Sequence, residues 1–378
     1  MNGRLLLIWM MLAVLLAPVT AAAQDDVTYQ PRVVSDDAAA APEAADSVEA
    51  PADASETAAA DAAETAASDD KKSDADEEDD KGWGVYATAG FDLGIGAFTK
   101  HKYARKVRSR FGFEFGGNYT IPVIDVDIHA STGFSQWMSK AGGSNGKYEF
   151  RWADSLIGLS REIWSYDDEK DFKIAFEGDL SFAIPTSKAS WTTNLYTTIM
   201  PSLAMKIKFA QIRFTYEIAY GHSFHKYTSP TVDPSEVDAI SRSAGNEILS
   251  ADAIAIDGIL PEISLANSFK LGYRFFKNFG LTLGLAFADS WSYDTKSNRN
   301  DDDLVSQYAK VGRGHSQYSQ GSIMLDYSPI KYLTLNFGMV STQPWKTADN
   351  KTLRFPWFDT VSPSKNYTKF LFAITGRY

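Results

Sequence analysis

His129 and Ser131 stand two residues apart, and an imidazole beside a hydroxyl can take its proton and make the oxygen a nucleophile. Both share the odd positions of their segment with Asp125 and Asp127, opposite the apolar Ile124, Val126, Ile128, Ala130 and Phe134. In an extended chain they therefore lie on a polar face, which favours a hydrogen-bonded network over catalysis. His222 and His225 could share a metal, but residues three apart in a strand point to opposite sides. Asp301, Asp302 and Asp303 lack the alternate spacing of a calcium loop and suit solvated loop charge. The chain contains no cysteine, which excludes thiolate metal sites, disulfides and a lipid-modified N-terminal cysteine. No catalytic group, metal or cofactor is expected.

The elements carrying these residues have a period of two. Trp83, Val85, Ala87, Ala89, Phe91, Leu93, Ile95 and Ala97 are apolar at every odd position, while Tyr86, Thr88, Asp92 and glycines hold the even ones. Only a strand with one greasy and one polar face uses this pattern. It recurs in Phe172–Ile184, in Ala210–Tyr220 and in Phe279–Phe287. Twelve strands are predicted, at 83–98, 107–121, 123–138, 147–161, 171–185, 191–207, 210–224, 260–276, 279–293, 315–328, 332–342 and 366–378, with 10 to 14 compatible with the pattern. Even-numbered connections are short, at Pro122, 162–170, 208–209, 277–278 and 329–331; the long ones, 225–259, 294–314 and 343–365, are all odd-numbered. Short turns on one side and long loops on the other, with both termini beside the turns, define an all-β transmembrane antiparallel up-and-down barrel.

Residues 1–23 have the form of a secretory signal peptide: Arg4, an apolar run from Leu5 to Leu16, and Ala21–Ala23 before the cleavage site. Residues 24–81 form a leader of Ala, Asp, Glu, Ser and Thr too poor in apolar side chains to order itself, and 82–378 form the barrel. Between 25 and 81 there are 19 Asp and Glu against four Lys and Arg, whereas 82–378 carry 29 against 32. The acidity belongs to the leader, which suits a solvated periplasmic spacer or a tail entering the barrel mouth, and no nucleic-acid partner is expected.

At the C-terminus Phe370, Phe372, Ile374, Gly376 and Tyr378 alternate and the chain stops on an aromatic. This resembles the signal by which barrel-assembly machinery recognises bacterial outer-membrane proteins, although such barrels usually end in Phe and Gly376 departs from the pattern. The resemblance implies export to the outer membrane of a Gram-negative bacterium, with that machinery and membrane lipid as partners. His129 and Ser131 also resemble the H-x-S pair of outer-membrane phospholipases and lipid A deacylases, but those enzymes place the pair on the lipid side.

Arg108, Arg110, Glu114, Asp125, Asp127, His129, Lys173, Glu177, Asp179, Arg213, Glu217, Lys270, Arg274 and Lys369 fall on polar faces and are predicted to line the lumen. Their mixed signs allow cross-strand ion pairs and argue against a lining of one charge. Trp137, Trp152, Trp164, Trp191, Trp291, Tyr293 and Tyr220 sit near strand ends, where amphipathic rings suit the headgroup boundary. Trp345 and Trp357, inside a long loop, suit packing instead. Lys100, His101, Lys102, Arg105 and Lys106 give the first long loop a basic surface that lipopolysaccharide phosphates could meet. The expected function is a porin-like passive channel for small solutes. The alternatives are a structural or surface-binding barrel that works through its loops and, at low weight, a lipid hydrolase.

Overall fold

The computed structural model describes residues 82–94, 109–138, 150–168, 172–187, 190–191, 193–228, 231–232, 248–250, 253–255, 259–295, 312–346, 352–358 and 368–378. The signal peptide, the leader, most of the long loops, Arg108, the basic cluster at 100–106 and Asp301–Asp303 lie outside them.

Twelve strands run in chain order as β1 (Trp83–Gly94), β2 (Ser109–Ile121), β3 (Val126–Trp137), β4 (Ser155–Asp167), β5 (Phe172–Ile184), β6 (Leu195–Phe209), β7 (Ile212–His225), β8 (Pro261–Phe276), β9 (Phe279–Thr295), β10 (Gly312–Ile330), β11 (Leu333–Pro344) and β12 (Thr368–Arg377). Each pairs antiparallel with its neighbours in sequence, and β1 closes the ring by pairing with both β2 and β12. Backbone bonds exchanged between Val85 and Tyr378, at 3.0 and 2.9 Å, fasten the last residue to the first strand. Closure leaves no strand edge unpaired, which is the condition for strands to survive in hydrocarbon. The short segment Phe150–Trp152 extends the sheet beside the upper part of β3, and Thr231–Val232, Ile248–Ser250 and Ala253–Ala255 make a small separate sheet.

Burial decides which face of the barrel is greasy. Among the described residues, 38 large apolar or aromatic side chains are exposed, while the buried apolar ones are Ala175, Ala183, Ile207, Leu260 and Ala373. A soluble barrel would fill its interior with large apolar side chains and show water a polar wall. Here the register aligns Phe337, Phe372, Phe91 and Phe111 side by side on the outer wall, with Leu325 and Leu281 continuing the row. So large an exposed apolar surface is stable only in contact with lipid. Strands of 10 to 19 residues exceed what is needed to cross the hydrocarbon and carry the wall beyond it.

Connections alternate as predicted: one end of the barrel has the turns at 122–125, 168–171, 210–211, 277–278 and 331–332, and the other has every longer connection. Three details differ from expectation. The turn expected at 208–209 lies at Ala210–Gln211, where Ala210 takes φ 49°, so Lys208 and Phe209 belong to β6. β4 does not stop at 161; it continues to Asp167 through a bulge between Glu162 and Trp164. The extra residue, Ile163, lies over Gly178 on the outer wall and Trp164 is exposed beside it, so the period of two is broken where the strand was expected to end. Asp125 is not in β3: the amides of Ile124 and Asp125 both donate to the Ile121 carbonyl, and Asp125 adopts φ 51°, a left-handed turn conformation that Asp tolerates.

Candidate functional site: the barrel lumen

Parity on each strand fixes what faces inward. Gly90, Gly112 and Gly116 line the wall of β1 and β2, and Ser264, Ala266, Ser268, Gly284, Ala286 and Ala288 that of β8 and β9. Such small residues take up little of the width of the lumen. Of the predicted lumen set, Arg110, Glu114, Asp127, His129, Lys173, Glu177, Asp179, Arg213, Glu217, Lys270, Arg274 and Lys369 all lie on these inward faces, opposite the exposed apolar positions. Asp125 is the exception, exposed in its turn at the rim because the chain reverses there before β3 begins.

The inward charges are mostly paired. Arg110 meets Asp92 at 3.1 Å, and Lys369 reaches the same carboxylate at 3.8 Å, so the 7 % exposed Asp92 joins β1, β2 and β12. Tyr86 donates to Glu114 at 2.8 Å. On the other wall Lys206 meets Glu177 at 2.8 Å and Lys173 meets Glu162 at 3.5 Å. Thr282 donates to Asp326 at 2.7 Å, and Arg274 acts on the same carboxylate electrostatically. Asp92, Lys206, Glu162 and Asp326 complete these pairs and were absent from the predicted set. The inward parity of Asp92, Lys206 and Asp326 was visible, that of Glu162 was hidden because its strand was expected to end at 161, and the partners of all four depend on register between strands.

His129 does not engage Ser131. Its Nε2 lies 3.3 Å from Ser181 Oγ and 3.5 Å from Asp179, two strands away, and Ser181 in turn donates to Asp179 at 2.7 Å. The ring crosses β4 where Gly158 leaves room: a Cβ there would fall 2.2 Å from His129 Nε2. The same nitrogen faces both the hydroxyl and the carboxylate, and among the described residues no carboxylate is seen to orient the ring from its far side as nucleophile activation requires. His222 lies on the outer face against Tyr220 at 3.4 Å, while His225 turns to Tyr293, whose hydroxyl is 3.4 Å from Nδ1. The two rings therefore do not converge on a metal.

At the longer-loop end the outer wall turns polar. Asp289 accepts from Gln317 at 2.8 Å and pairs with His315 at 2.8 Å, and Trp291 stacks on His315 with centroids 5.0 Å apart. Trp152 and Trp191 are exposed at this end; Trp83, Trp164, Tyr166 and Tyr378 are exposed at the turn end. These rings bracket the apolar belt as headgroup-level aromatics do. Tyr293 leaves this pattern: its hydroxyl donates to the Ser223 carbonyl at 2.6 Å and ties β9 to β7 across β8. The side chain of Trp137 lies outside the described residues.

A further element was not legible in the sequence. Ser319, Gly321, Ser341, Gln343 and Thr368 have outward parity, yet Ser341 and Gln343 are fully buried. Residues 352–358 fold back over them. Gln343 Nε2 donates to the Phe355 carbonyl, Arg354 N donates to the Trp345 carbonyl at 2.8 Å, and Trp345 packs edge-on to Phe287 with centroids 4.8 Å apart. The flap presents Leu353, Phe355 and Phe358 outward in place of the polar wall it covers. Packing was expected for Trp345 and Trp357, and this is the packing they make.

No known protein family matches the sequence, and no curated protein matches it. Among solved structures the chain is similar to an outer membrane channel from Pseudomonas putida F1, at 8% identity and a TM-score of 0.46, covering 81% of this chain and 100% of that one. It is also similar to the NanC porin, at 8% and 0.36 over 77% and 98%, and to OprD of Pseudomonas aeruginosa, at 9% and 0.34 over 79% and 95%. At these identities and scores the likeness carries no functional inference.

Proposed function

We propose that this chain is an outer-membrane channel for the passive passage of small hydrophilic solutes. The observation that carries the reading is the inner wall: a closed ring of twelve strands lined by Gly, Ala and Ser and by paired charges of both signs, with the large apolar side chains turned outward. Twelve strands enclose more than the side-chain-filled interior of an eight-stranded barrel and less than a 16-stranded porin pore. Because Asp92, Glu177 and Asp326 are each answered by a cation, the lining presents dipoles more than net charge, which suits polar solutes over one class of ion. Residues 1–23 direct export and are cleaved, barrel-assembly machinery reads the strand ending in Phe370, Phe372, Ile374 and Tyr378, and the basic loop at 100–106 meets lipopolysaccharide. No chemistry on the solute is part of the reading.

Swelling of liposomes carrying the refolded full chain, in isotonic sugars and amino acids of increasing size, tests it. Influx that falls steeply with solute size is expected. Swelling no faster than in protein-free liposomes would overturn the reading in favour of a closed structural barrel.

A further inference from the structure

The flap at 352–358 lies on the outer wall in a way that contact with water does not explain. Counted from the turn end, Ser341 and Gln343 are the ninth and eleventh residues of β11, and Thr368 and Gly321 are each the tenth of β12 and β10. A tilted strand needs about 9 to 11 residues to cross the hydrocarbon, so these polar positions fall at the outer edge of the crossing. The flap covers them and shows Leu353, Phe355 and Phe358 instead, at 72%, 45% and 41% exposure, as open as Leu325 and Phe372 of the belt at 47% and 43%. Phe355 gathers Trp357 and Phe358 about it, with ring centroids 5.3 and 4.6 Å away, so the rings form one patch. The inner side matches the wall less well. Ser341 Oγ, Gln343 Oε1 and Trp357 Nε1 are buried in this sector with no hydrogen-bond partner among the described residues, and burying such groups unpaired is costly. In water, a flap that hides polar atoms and displays apolar ones would lift.

We propose that the flap is a lipid-bound element: its patch is embedded among the acyl chains of the leaflet on the longer-loop side, and that contact holds it on the wall. Hydrocarbon favours Leu353, Phe355 and Phe358 and penalises the Ser, Gln and Thr beneath them, so both terms press the flap down. Its height agrees. Arg354 Nε donates to the Lys346 carbonyl at 3.2 Å, beside Trp345, whose amide donates to the Gln317 carbonyl at 3.4 Å where the outer wall turns polar. Pro356 lies against Gly321, four residues nearer the turn end than Gln317. The flap thus descends from the headgroup level, where its cation stands, into the apolar belt. A second copy of the chain fits the patch less well. The exposed parts of three such side chains amount to about 300 Å², well short of the roughly 800 Å² that each partner of a stable interface buries.

The contact lies on the outer wall and is independent of what passes through the lumen. It can be tested in the native full chain, refolded into phosphatidylcholine vesicles that contain a trace of phosphatidylcholine with a photoactivatable carbene precursor on one acyl chain. After irradiation and trypsin, the peptide that follows Arg354 should carry lipid adducts at a yield comparable to that of the peptide that follows Lys277, which contains the lipid-facing Leu281, Leu283 and Leu285. The protein has no cysteine, so Phe358→Cys accepts a single nitroxide. That label should collide with oxygen, which concentrates among acyl chains, and not with a water-soluble nickel chelate. At Val123→Cys, 91% exposed in a turn, the preference should reverse. An unlabelled flap peptide beside a labelled β9 peptide would overturn the proposal, whether or not the cysteine variant folds. So would nickel collisions at position 358 as frequent as at 123. Spin–spin broadening between copies labelled at 358 would assign the patch to a second copy and overturn it too. Failure here leaves the channel reading standing, because neither measurement reports permeation.

Discussion

His129 Nε2 lies 3.3 Å from Ser181 Oγ, two strands away, and not against Ser131. The geometry makes His129 a cross-strand bridge. Replacing Ser131 with Ala should leave acyl release from phospholipid and lipid A at the background of a protein-free control. A measurable hydrolytic activity in the native chain that Ser131→Ala abolishes would make the protein an enzyme.

Parity places opposite fates on adjacent residues. Leu283→Arg on the outer wall should destabilise the refolded barrel by about 2–4 kcal/mol. Thr282→Arg, one residue away and facing Asp326, should stay within about 0.5 kcal/mol of native. Urea unfolding in lipid vesicles measures both, and equal losses would mean that the two faces are not distinguished by lipid.

The flap is held where Gly321 lets it approach: a Cβ at that position would fall 2.4 Å from the Pro356 carbonyl oxygen and 2.8 Å from Trp357 Cα. Gly321→Val should lift residues 353–358 off the wall. Trypsin should then cut after Arg354 several-fold faster, with heat-modifiable gel migration unchanged. Unaltered cleavage would show that the segment does not depend on that contact.

Topology can be read on intact cells. With the start of β1 and the end of β12 at the turn end, single cysteines at Ser243, Ser297 and Thr347 should react with a membrane-impermeant thiol reagent, and one at Asn278, in the two-residue turn between β8 and β9, should not. Labelling of Asn278 with protection of the other three would invert the barrel.

What the sequence made legible follows from the solvent. A wall with lipid on one side and water on the other imposes a period of two, so strand number, inward parity and the alternation of short and long connections could all be read from residue types. Features that depend on register or on a local departure from the period were not accessible. Ile163 looks like the end of a pattern, although it is the extra residue of a bulge. Ser341 and Gln343 look misplaced on a lipid face until the flap that covers them is seen. Asp125 matches the parity of β3, yet a turn bond places it outside the strand. The partners of Asp92 come from two other strands, one of them at the far end of the chain.

Conductance across a planar bilayer tests the central claim most directly. The refolded full chain should open in discrete, ohmic steps. Ala286→Trp, facing the lumen between Ser268 and Gln320, should shrink the step, while Leu285→Trp, its neighbour on the lipid side, should leave it unchanged. Absence of steps, or an equal effect of the two substitutions, would contradict an open, water-filled lumen.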